Sequence, residues 1–133
     1  MSIFLRKLAI DFIDKGMFEE GTDIYKKLEE HFPGNPFHLG HLGYGYAMAG
    51  QREEAYQIIN KLIDRRQRSH FPAFFIADIY TGLGDKDQSF KWLEKAIEEK
   101  DTRLFLIKVI PEFEKIRSDP RFSDILTKMG LAG

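Results

Sequence analysis

The sequence contains no cysteine. Disulfides, thiolate metal sites and cysteine nucleophiles are therefore excluded, and the absence fits a reducing, cytoplasmic setting. No apolar run is long enough to span a bilayer, so no membrane partner is expected. The opening stretch MSIFLRKLAIDFIDKG comes nearest to a signal peptide. Arg6, Lys7, Asp11 and Asp14 interrupt it, and no small-residue cleavage site follows, so it reads as a helix of the mature fold. An excess of one charge is also missing. The 20 Lys and Arg residues against 21 Asp and Glu leave a net charge of -1, which gives no reason to expect nucleic-acid binding. Strand-like alternation of apolar and polar residues is absent throughout, which leaves an all-α reading.

What the chain does have is a repeat. Its 133 residues suit one domain or one short array. Gly16, Gly50 and Gly84 stand 34 residues apart. Before each glycine comes an apolar helical stretch: FLRKLAIDFIDKG, FHLGHLGYGYAMAG and FPAFFIADIYTGLG. After each comes a charged start and a second amphipathic stretch. In the last unit Phe90, Leu93, Ala96 and Ile97 recur at helical steps among Lys91, Glu94, Lys95 and Glu98. Gly84 is placed for a left-handed helix end, and Asp85 for an N-cap. Each unit reads as helix, turn, helix, over residues 2–35, 36–69 and 70–103. Residues 104–133 form a capping segment. Residues 104–110 begin like a further helix that Pro111 stops, and Asp119 caps a last helix with Phe122, Ile125, Leu126 and Met129 on one face.

A two-helix unit with this period resembles the tetratricopeptide repeat (TPR). Leu42, Gly43, Tyr46, Gly50 and Ala55 carry the resemblance in the middle unit, and Ile76, Ala77, Tyr80, Gly84 and Ser89 in the third. The first matches through Leu8, Ala9, Phe12, Gly16, Gly21, Tyr25 and Pro33. The tail resembles the C-terminal module of bacterial TPR-containing regulatory proteins, which usually carry a regulatory domain ahead of it. The chain is thus expected to be either free-standing or a fragment of a longer bacterial protein. The resemblance implies an all-α, right-handed superhelical array with a C-terminal capping helix.

Candidate chemistry is sparse. His38 and His41 stand three apart, but no carboxylate lies nearby and a metal site needs three convergent ligands. They read as partly exposed histidines beside the groove, and no metal or cofactor is expected. The run GHLGYG reverses the dinucleotide fingerprint and follows no strand. Gly43 falls where two helices of a unit cross, in register with Ala9 and Ala77. Gly40 and Gly45 have no such explanation, although each interior glycine costs about 1 kcal/mol relative to alanine. The glutamates read as solvated faces and the serines lie in no nucleophile context. Arg65, Arg66 and Arg68 suit a helix C-terminus better than an anion site. No catalytic residue, and no enzyme, is expected.

The resemblance implies a concave face lined by the first helix of each unit. On that face it places Arg6, Ile10, Ile13, Phe37, Tyr44, Met48, Phe71, Phe74 and Asp78, with Ile3 and Gly40 beside them. Aromatics and methionine in a groove suit an apolar peptide or partner helix. An intramolecular cap would fill such a groove equally well. The basic clamp of chaperone-tail-binding TPR proteins is missing: Ile10, His41, Phe71 and Phe75 stand in its place, and only Arg6 is basic. A non-enzymatic protein-interaction module is the leading expectation. The alternative is assembly, including a homodimer, through the apolar first helix, which lacks a polar outer side.

Overall fold

A computed structural model describes residues 2–130, so the end of the capping segment at 131–133 lies outside the described residues. The repeat units become helix pairs: α1 (Ser2–Asp14) with α2 (Phe18–His31), α3 (Pro36–Met48) with α4 (Arg52–Arg66), and α5 (Ala73–Leu83) with α6 (Lys86–Glu98). Two 3-10 segments, Thr102–Leu106 and Pro111–Ile116, lead to α7 (Pro120–Lys128). No strand occurs among the described residues. Each helix packs on its sequence neighbour, and α3 also packs along α5. The protein is an all-α array of consecutive helix pairs.

Local signals set the boundaries. Gly16, Gly50 and Gly84 sit at φ +80°, +82° and +81°, where a side chain would be strained. The Asn35 side chain accepts from the Phe37 backbone N–H at 2.9 Å, Asp85 from Gln88 at 3.1 Å and Asp119 from Arg121 at 2.9 Å. Each satisfies a donor that a helix start otherwise leaves unpaired.

The sequence AFFIADIYTGL is apolar all round, and a helix of that kind must be covered on every side. Every residue of α5 except Tyr80 is buried. The α3 glycines allow the approach. A Cβ on Gly40 would lie 2.8 Å from Cγ of Phe75, and one on Gly43 would lie 2.8 Å from Ile79 Cγ1 and 3.0 Å from Ile58 Cγ2. Gly43 therefore marks a crossing with α5 of the next unit as well as with α4 of its own. Gly40 and Gly45 are also explained: Phe75 fills the space over Gly40, and Thr22 of α2 that over Gly45.

The tail departs from the sequence expectation. Residues 104–110 form no α-helix. Leu104, Ile107, Phe113 and Ile116 are buried, with Ile110 packed against the same core. These five recur every third residue, which a 3-10 turn aligns on one side and an α-helix would spread around its axis. Phe113 meets Phe74 with ring centroids 5.3 Å apart, so the tail lies against α5. α7 then buries Phe122 and Ile125, and Arg121 and Lys128 pair with Asp87 and Glu94 of α6 at 2.7 and 2.5 Å.

The arginine cluster joins neighbouring units. Arg65 donates to the Gly34 carbonyl at 2.6 Å and Arg66 to the Phe71 carbonyl and Glu99, while Arg68 pairs with Asp64 inside its own unit.

Replacing Gly43 by valine should force α3 and α5 apart. The expected cost is about 1–3 kcal/mol, read as a lowered Tm by circular dichroism. An unchanged Tm would show that Ile79 yields without strain.

Candidate functional site

Three helices and the tail enclose a cavity of about 220 Å³. Each helix contributes residues one turn apart, which helical geometry places on one face. From α1 come Ile10 and Asp14, from α3 Phe37 and His41, and from α5 Phe74, Phe75 and Asp78. Arg103, Leu106 and the Ile110–Glu112 stretch form the fourth wall.

One side of this cavity is aromatic. Phe37 and His41 stack at 5.5 Å with an interplanar angle of 7°, and His41 stacks on Tyr25 at 5.2 Å and 17°. The Arg6 guanidinium caps the column 4.9 Å from the Phe37 centroid. The Nδ1 of His41 lies 2.9 Å from the Phe37 carbonyl oxygen. Burial lowers the His41 pKa; the Phe37 carbonyl pulls the other way, and Arg6 and His38 add to the lowering.

The other side is acidic. Asp78 is 2% exposed, and its Oδ1 has no hydrogen-bond partner among the described residues. Burial, and then the neighbouring Glu112, push its carboxyl well above the usual range. Glu112 is raised by burial and then by Asp14, and Asp14 is raised by burial and then by Asp11. Burial, and then Asp78 and Glu112, raise the Tyr44 phenol. A buried carboxyl beside another is held from ionising while its neighbour is charged. Among the described residues no group of three or more His, Asp or Glu is placed to hold a metal.

Of the residues placed on the concave face from sequence, Ile10, Phe37, Phe74 and Asp78 line this cavity. Arg6 reaches it only through Phe37. Ile13 is buried under Gly21 and beside Gly45, and Tyr44 packs over Gly82. Phe71 is fully buried between Arg65 and Phe75. Met48 lies half-buried where the Lys115 ammonium comes within 3.4 Å of its sulfur. Of the histidines, His41 is half-buried, but His38 is 2% exposed, not partly exposed as its sequence suggested. Neither His38 ring nitrogen has a hydrogen-bond partner among the described residues, and burial, then Arg6, lower its pKa.

Asp14, Arg103 and Glu112 were not singled out from sequence. Asp14 stands one turn after Ile10, which is a usable signal. Glu112 carries only a weak one, because its position depends on the 3-10 path of the tail.

The raised carboxyls make a sign-definite prediction. A carboxyl whose folded pKa exceeds its unfolded value binds more protons folded than unfolded. Its contribution is therefore lost as pH rises from about 4 through the folded pKa. Relative to Asp78→Asn, the wild type should lose Tm as pH rises from about 4 through the raised pKa of this carboxyl. Parallel Tm curves for the two proteins would contradict this.

A family model described as Tetratricopeptide repeat matches residues 73–102, which span α5, α6 and the first residues of the tail. None of the curated proteins matches the chain, and neither does any solved structure. The match to the third helix pair and the all-helical pairwise packing support a TPR-type protein, and TPR units serve in general as protein–protein interaction modules.

Proposed function

We propose that this protein is a non-enzymatic interaction module that captures a peptide or partner helix on the face shared by α1, α3 and α5. The observation that carries the reading is the open, largely apolar cavity between those helices and the tail. Phe37 and Leu106, 38% and 46% exposed, stand at it as contact points ready for a partner. The tail already covers the part of the face around Phe74. A partner segment then lies over Phe37 and Ile10 and inserts a side chain, while the buried helices hold the walls rigid.

Exposed Phe37 and half-buried Ile10 are the ones to mutate, because truncating buried Tyr44 or Phe74 would also unfold the protein. Peptides selected from a random display library against the intact chain should lose about tenfold or more affinity for the Ile10→Ala, Phe37→Ala variant, with its helical content unchanged. Selected peptides indifferent to that change would sink the proposal.

A second reading rests on a separate observation. Ile3 and Phe4 of α1 are 78% and 69% exposed, an apolar surface of the kind found at interfaces. If α1 mediates assembly, light scattering should give a dimer mass that falls to the monomer in Ile3→Ser, Phe4→Ser. A monomer at high concentration would dispose of this reading.

A further inference from the structure

The acidic end of the cavity contains an unmet demand. Asp78 lines the cavity, and its Oδ1 is buried with no hydrogen-bond partner among the described residues. A carboxyl oxygen in that position needs a proton, a donor from the chain or a cation from outside. The cations nearby, Arg103 and Arg117, are engaged elsewhere, Arg117 by the Ile107 and Ile110 carbonyls. Glu112 and Asp14 carry the same sign as Asp78. Arg103 is held by Asp101 at 2.9 and 3.1 Å and lies 5.2 Å over the Phe75 ring. His41 engages the Phe37 carbonyl, and burial disfavours its charged form.

The aromatic wall adds an independent requirement. The faces of Phe37, Phe74, Phe75 and His41 favour an alkyl chain or a cation close by. A ligand with an apolar stem and a positive tip meets both ends at once. The volume sets its size. About 220 Å³ falls below the roughly 300–1,000 Å³ of pockets for drug-sized ligands, which leaves room for one side chain. One free carboxylate oxygen suits a compact ammonium better than the two-pronged fork of a guanidinium.

We infer that the cavity receives a lysine side chain of the partner segment, its ammonium donating to Asp78 beside Glu112 and its stem lying along the aromatic wall. The inference rests on capture at the α1–α3–α5 face. On entry the ammonium N–H donates to Asp78, and the proton that burial beside Glu112 keeps on that carboxyl leaves to solvent. Binding therefore strengthens as pH rises, with Asp14, Asp78 and Glu112 as the titrating groups and Arg103 held by Asp101.

The probe is n-butylammonium chloride, the lysine side chain alone, titrated into the full chain labelled with ¹⁵N. The expected result is saturable movement of the Asp78 and Glu112 amide signals. Near neutral pH, 1-butanol, uncharged and of equal length, should bind about tenfold more weakly. Binding should weaken towards about pH 5 and vanish in Asp78→Asn, Glu112→Gln, whose circular dichroism should match the wild type. Equal binding of 1-butanol, or retained binding by that variant, would overturn the inference, and tighter binding of propylguanidinium would overturn the choice of lysine. Display-selected peptides separate this inference from groove capture. Peptides that bind equally well with lysine replaced by norleucine defeat the lysine site and leave capture standing. Butylammonium binding with no selectable peptide supports the cation site and defeats capture.

Discussion

The close approach of α3 to α5 is the contact on which the rest of the molecule depends. It is possible because Gly40 and Gly43 have no side chains where Phe75 and Ile79 need space. The glycines weaken α3 as an isolated helix by about 1 kcal/mol each. Tertiary packing offsets that loss, since α5 is the most completely covered helix of the fold. The same approach sets Phe75 against Phe37 at 5.5 Å and brings His41 and Asp78 to one cavity. Packing and site are two results of one contact.

The tail is the second constraint. An open TPR-like face would leave α5 half exposed, and its apolar circumference does not tolerate that. Residues 102–116 cover it by a 3-10 path that turns Leu104, Ile107, Phe113 and Ile116 inward. Covering α5 narrows the groove to a single-side-chain cavity and carries Glu112 to Asp78. The electrostatic character of the site is thus a by-product of capping: two carboxyls from distant parts of the chain meet in a place with little water.

Much of the fold was legible because its signals are local. The left-handed glycines, the caps at Asp85 and Asp119 and the helical apolar steps each concern residues within a turn or two of one another, and the 34-residue period repeats that local pattern. The buried α7 face was readable for the same reason. The tail was less legible: Pro111 signals only a helix that stops, whereas the 3-10 path shows in the three-residue spacing of Leu104, Ile107, Ile110, Phe113 and Ile116. His38 was misread because a histidine between apolar residues gives no sign of which neighbour will cover it. Phe71, Tyr44 and Ile13 were placed on the concave face by repeat register, and register does not tell whether a position faces the groove or the helix beside it.

The sequence by itself determined the helix pairs, their turns and the order in which they stack, because backbone geometry and apolar periodicity act over a few residues. Only the tertiary structure decided what the concave face offers. That depended on how far the tail reaches across α5, a matter of volume between elements dozens of residues apart. The same long-range fit left Asp78 buried with an unpartnered oxygen, since which groups lose their water is settled only when the last segment packs down.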